Sequence, residues 1–299
     1  MKNRTHSINC KCANNVTNTL PSCAICIPCY NCITKNKIVF KKCLDSALLQ
    51  TYPNIYIYMC DDGSTDDTLE FIREYSKEFS NIKIISHENR GIAITRIEMI
   101  NIVQQDFLVF LDADDTLEED AISNYMHEIS KNGSRDIVCS KVKPKNNFLR
   151  IGTNFWGYFC CGLKYFLYHK KLYNVSDYIE DFNGVIGLGK WWCCFGKIFR
   201  VEFLKSLDYS KLLSNHCHED VILLALILDK CKTFSFTPIY TYNYWFWKFS
   251  TSHDKKNNFY NETKIHNLMN ILQDLTTKYP AINGKLDNLR KKYVQYKQS

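Results

Sequence analysis

The chain has 299 residues, 45% of them apolar, which is enough for one large α/β domain or two closely packed ones. Its formal charge of +7 is too small for a dedicated nucleic-acid binder, so no nucleic-acid partner is expected; it suits a protein that handles phosphates or touches an anionic membrane. The odd total of 15 cysteines and a polar N-terminus (MKNRTHSINCKCANN) without an apolar leader argue against a secreted disulfide framework and for a reducing cytoplasm. No apolar run reaches the roughly 18 residues of a membrane-spanning helix.

In chain order, residues 1–21 form a polar lead-in. The apolar run 24–28 reads as a buried strand. Phe40, Cys43, Leu44, Ala47 and Leu48 then recur at helical spacing, and Tyr52-Pro53-Asn54 ends that helix. Strands follow at 55–60, 82–86 and 107–111, with helices between them at 68–79 and 92–103. Alternation of this kind builds βαβ units and a mainly parallel sheet. Ligands of such sheets bind beyond the carboxyl ends of the strands, and both acidic clusters, DDGSTDD and DADD, fall there. The rest is less regular until a helix at 220–229, opened by Glu219-Asp220. From Tyr260 the tail reads as one or two amphipathic helices with a basic end.

DADD, residues 112–115, packs carboxylates densely enough to call for a cation. Mg²⁺ or Mn²⁺ bridging to substrate phosphates is one answer. The other is an acidic turn, with Asp115 or Thr116 capping a helix from Leu117. In DDGSTDDT, Gly63 permits a tight turn and Ser64 or Thr65 can cap the next helix. Asp61 or Asp62 can accept hydrogen bonds from a base or a ribose.

IPCYN, LDSALLQTYPN, DDGSTDDT, ENRGIAITR and FLVFLDADD, in this order, resemble the inverting family 2 glycosyltransferases of GT-A fold. That resemblance implies a Rossmann-like nucleotide-binding half over 22–135, an irregular acceptor half with the catalytic base over 136–254, and a helical basic tail over 255–299. It implies that Pro28 and Tyr30 line the nucleotide pocket and that Asp62 faces the base. Arg96 would reach the diphosphate, with Asp112 and Asp114 as the DxD metal pair and Asp115 beside them. NHCHEDVILLALIL looks like the family's ED segment, making Asp220 the general base and Glu219 its neighbour. The implied partners are a nucleotide-sugar donor, a UDP-sugar by preference, and a glycan or glycolipid acceptor, handled at the inner face of the membrane.

The sequence departs from the family pattern in two places. Ile97 follows Arg96 where Asn is frequent, and Trp245 stands where an Arg often follows the late Tyr-x-Tyr, leaving Lys248 as a candidate substitute. No QxxRW is present, which disfavours a processive synthase. Trp191, Trp192, Trp245 and Trp247 can stack on sugar rings or serve the core. His216, Cys217 and His218 stand too close together for a good single metal site.

Three other readings compete with this one. A nucleotidyltransferase would need a Gly-rich loop that IPCYNCITK lacks; a non-catalytic nucleotide-binding homologue would keep the fold. A metal or iron–sulfur protein would be built on CAICIPCYNC, but residues three apart on a strand point to opposite faces, which favours ordinary strand cysteines.

Overall fold

In a computed structural model of the chain, the residues described are 20–145, 194–210 and 219–245, with Asn270 and Gln273. The first half alternates as its periodicity predicts. β1 (Cys23–Cys29), β2 (Ile55–Asp62), β3 (Ile82–His87) and β4 (Phe107–Phe110) are separated by α1 (Cys32–Leu48), α2 (Thr68–Ser76) and α3 (Ile92–Ile102). Next come β5 (Thr116–Leu117), α4 (Ala121–Asn132), β6 (Ile137–Lys145), β7 (Lys197–Arg200), α5 (Val201–Lys205), α6 (Glu219–Lys230) and β8 (Phe234–Trp245). All the strands join one eight-stranded mixed sheet in the order β3-β2-β1-β4-β7-β6-β8-β5. β3, β2, β1 and β4 are mutually parallel, and β7 and β5 pair antiparallel with their neighbours. The fold is therefore α/β of the GT-A kind.

Three sequence expectations need correction. The first long helix begins at Cys32, not Phe40, because Asn36 interrupts it with extended backbone and restarts it. Asn36 Oδ1 accepts from the Ile38 and Val39 amides at 3.1 Å, acting as an internal cap. No helix starts at Leu117; Thr116 and Leu117 pair with Asn243 and Tyr242 of β8, and α4 begins at Ala121. β6 and β8 were not anticipated, since lysine alternates through one and tyrosine crowds the other.

β1 shows how the core divides. All seven of its residues are buried. Cys23, Ile25, Ile27 and Cys29 pack with α1, α2 and α4, whereas Ala24 and Cys26 pack with α3 and α6 on the other face. Cys26 therefore points away from Cys23 and Cys29. Every described cysteine is buried, and no group of three or more His, Cys, Asp or Glu among the described residues is arranged to hold a metal ion. Cysteine here serves as a small hydrophobe.

The start of β6, the end of β7 and the turn before β8 are pinned together at Asp136. Its carboxylate accepts from Arg200 on one oxygen and from the Lys232 and Thr233 amides, at 2.9 and 3.0 Å, on the other. Burial works to raise this carboxyl, but Arg200 and the two amides outweigh it and hold it below its ordinary value. A depressed folded-state value means stability that is present above the ordinary carboxylate range, about pH 3.9, and lost as pH falls below it. Asp136→Asn is expected to cost about 2 kcal/mol near neutrality, and its Tm deficit should shrink below about pH 4. An unchanged deficit at pH 3 would exclude the ionic contribution. Among the described residues no helix is long and apolar enough to cross a membrane.

Candidate active site

The turns after β1 and β2 are stitched together by short polar side chains. Asn31 adopts the left-handed conformation (φ 49°) that Asn tolerates, and its Oδ1 accepts from the Thr65 amide at 2.8 Å. Its own amide donates to Ser64 Oγ at 2.9 Å. Thr68 Oγ1 accepts from the Cys32 amide, and Asp66 from the Thr34 amide, at 2.8 and 2.7 Å. Gly63, at φ 65°, lies so near the next loop that an added Cβ would sit 2.4 Å from the Asn89 nitrogen. Only glycine fits there.

This lacing separates the two aspartates of the turn. Asp62 does not present free oxygens: they accept from the Arg90 and Gly91 amides at 2.8 and 3.0 Å, with His87 at 3.5 Å. Asp61 is 1% exposed, and its Oδ1 has no hydrogen-bond partner. Its other oxygen receives only long contacts, from the Ser64 amide at 3.3 Å and Ser86 Oγ at 3.4 Å. A buried, unpartnered carboxylate oxygen is costly unless something donates to it. Pro28 is buried opposite Cys60 in the strand register, whereas Tyr30 beside it is 40% exposed.

DADD leaves β4 in a tight turn closed by the Asp115 amide donating to the Asp112 carbonyl at 3.0 Å. Asp112 and Asp114 remain partly exposed, while Asp115 is buried. Both Asp115 oxygens are taken by β8: Tyr242 Oη donates to one at 2.8 Å and the Trp245 amide to the other at 2.7 Å. The Tyr242 hydroxyl also accepts from the Asp112 amide at 3.2 Å, and its ring stacks on Phe195 at 4.8 Å. Burial, reinforced by Asp114 and Asp112, pushes the Asp115 carboxyl well above its ordinary value. Tyr242 escaped the sequence reading. The late Tyr-x-Tyr was its only signal.

Arg96 joins the elements. It is buried on α3, with its guanidinium over the Phe110 ring at 5.7 Å. Nη2 donates to Asp112 Oδ1 at 3.0 Å and Nη1 to Asp220 Oδ1. The first DADD carboxylate and the Asp220 carboxylate of α6 thus share one cation. Burial raises the Asp112 carboxyl; Arg96 opposes that rise and Asp220 adds to it. Glu219 opens α6, but its side chain lies outside the described residues, as do Trp191, Trp192, His216, Cys217, His218, Trp247, Lys248 and the tail beyond 245 apart from Asn270 and Gln273.

The donor set suits a hard divalent cation held by one or two carboxylates together with substrate oxygens. Asp112 and Asp114 can supply those carboxylates. Asp115 is less suited, because its oxygens already brace the turn.

A profile described as "Glycosyl transferase family 2" matches residues 24–185, over half of the chain. The chain belongs to glycosyl transferase family 2. Among curated members, it is 35% identical over 138 residues to a chondroitin synthase of Escherichia coli, covering 45% of this chain and 20% of that protein. It is 27% identical over 205 residues to a cholesterol galactosyltransferase of Borreliella burgdorferi, covering 67% of this chain and 54% of that one. This family 2 chain therefore spans between a fifth and about half of those relatives' length. Two solved structures share its fold. S. aureus TarS 1–349 in complex with UDP-GlcNAc aligns with a TM-score of 0.60 at 16% identity, covering 91% of this chain and 71% of that one. The mannosyltransferase PcManGT from Pyrobaculum calidifontis, in complex with GDP-Man and Mn²⁺, aligns with a TM-score of 0.57 at 13% identity, covering 90% and 70%.

Proposed function

We propose that this family 2 protein transfers a sugar from a nucleotide-sugar, a UDP-sugar by preference, to a hydroxyl of a glycan or glycolipid, in one displacement that inverts the anomeric centre. The observation that carries this reading is the Arg96 bridge, which brings Asp112 and Asp220 to one guanidinium although they are far apart in sequence. Residues 22–135 supply the donor half and 136–254 the acceptor half. The setting is a cytoplasmic enzyme at the inner face of the membrane.

The chain's own groups divide the work. The orphaned oxygen of Asp61 accepts from the N–H of the base, with Pro28 and Tyr30 beside it as the wall of the pocket. Asp62 holds the 90–91 backbone in place instead of touching the base itself. Asp112 and Asp114 would hold Mn²⁺ or Mg²⁺, which would supply charge neutralisation for the departing diphosphate. Arg96 adds fixed positive charge at that strand end, and Asp115 braces the turn through Tyr242. Asp220, with Glu219 as its neighbour, takes the proton from the attacking acceptor hydroxyl. No covalent intermediate on the protein is needed.

The test is a thermal-shift titration with UDP- and GDP-sugars, with and without Mn²⁺, followed by donor hydrolysis. Metal-dependent stabilisation by one nucleotide class is the expected result, and no response to any of them refutes the reading. Asp61→Ala is expected to weaken nucleotide binding about tenfold, the loss of one charge-assisted hydrogen bond. Asp62→Ala should instead lower the Tm, because it strands the two amides. Equal affinity of wild type and Asp61→Ala would remove Asp61 from the pocket.

A further inference from the structure

β6 changes character halfway along. Ile137 and Cys139 face the core shared with Leu223, Leu224 and Ile227 of α6. From residue 141 the same face carries Lys141, Lys143 and Lys145, while Val142 between them packs into the opposite core layer. The neighbouring strand answers with aromatics. Lys141 Nζ lies 5.5 Å over the Tyr240 ring and Lys145 Nζ 5.9 Å over the Trp245 ring. In register, Lys143 pairs with Asn243 and Lys145 with Trp245.

Two features of this surface are unsatisfied. Lys143 and Lys145 stand two residues apart on one face, and burial together with the Lys143 charge holds Lys145 below its ordinary value. Like charges brought together are destabilising unless an anion joins them. Glu118, 3.6 Å from Lys143, offsets part of that charge. Asn243 is only 6% exposed, yet its Oδ1 has no hydrogen-bond partner, leaving an acceptor for a hydroxyl. The row also leads to the chemistry. The Trp245 amide holds Asp115, and its indole N–H donates to Thr116 Oγ1 at 3.1 Å. β6, β8 and β4 run in the same direction, so Lys145, Trp245 and DADD lie at one edge of the sheet.

We propose that Lys141, Lys143 and Lys145, with Tyr240, Asn243 and Trp245, form an acceptor track for a glycan chain carrying an anionic group, phosphate or carboxylate. The aromatic faces receive sugar or polyol carbons, Asn243 receives a hydroxyl, and the paired lysines take the charge. The track deepens the transferase reading and rests on it, since an acceptor is needed only if the donor site works.

The experiment is calorimetric titration of the full chain, with UDP and Mn²⁺ present, against a uronate-containing oligosaccharide, a glycerol-phosphate oligomer and a neutral dextran of matched length. At least one anionic chain should bind about tenfold more tightly than dextran, and the tighter of the two identifies the charged group. Lys143→Gln/Lys145→Gln should lose most of that preference, and Lys143→Arg/Lys145→Arg should keep it. Lys37→Gln/Lys42→Gln on α1 removes the same charge elsewhere. If it weakens binding equally, the attraction is only the chain's net charge and the track is refuted. Tighter binding of a single-stranded oligonucleotide than of either glycan also overturns it. UDP titrated alone separates the two failures: no UDP binding undermines the donor reading, whereas UDP binding without anionic preference undermines the track alone.

Discussion

Asp220→Asn is expected to reduce sugar transfer by about 10²- to 10⁴-fold, the usual contribution of a positioned general base. The substitution keeps the shape of the side chain and removes its ability to accept a proton fully. Nucleotide affinity should change little, because Asp220 reaches the donor edge through Arg96. The loss should therefore appear in kcat, with the donor KM nearly constant. Full transfer activity in Asp220→Asn would transfer the base role to another group. Loss of donor binding in parallel would mean that Asp220 positions Arg96 and does not serve as base. The two outcomes are separated by measuring UDP binding and transfer on the same preparation.

Arg96→Met should be the most destabilising substitution in the site, at about 3–5 kcal/mol. Methionine fills the space over Phe110 but leaves Asp112 and Asp220 facing one another without the cation between them. The Asp112 carboxyl, already raised by burial, would lose the one charge that opposes the rise. Arg96→Lys should recover only part of the loss, since an ammonium cannot span two carboxylates as the guanidinium fork does. Urea unfolding with and without Mn²⁺ gives the reading. The divalent cation should restore more stability to Arg96→Met than it adds to the wild type, because it replaces the missing positive charge. A variant as stable as the wild type would show that the bridge contributes nothing.

The site was legible in its residues and less so in their roles. Asp112, Asp114, Asp220 and Arg96 could be named from motifs, and the structure sets three of them on one ion-pair bridge. Asp61 and Asp62 both precede Gly63, so the residues alone left them equivalent, and the family resemblance set Asp62 facing the base. What separates them is the backbone of Arg90 and Gly91, which arrives from another loop and claims Asp62. Asp115 was grouped with the metal pair on adjacency, and only the arrival of β8 shows that Tyr242 and Trp245 occupy its oxygens. The same arrival explains why no helix starts at Leu117.

By itself the sequence determined the order of the first four strands, the helices between them, and the placing of both acidic turns at strand ends. Those features follow from local periodicity and turn chemistry, which act over a few residues and need no distant partner. The tertiary structure decided which carboxylates are held and which are open, and it built β6 and β8 from segments rich in lysine and tyrosine. It also placed Arg96 between residues 16 and 124 positions away. Such pairings depend on which strand lies beside which, and no local pattern encodes that.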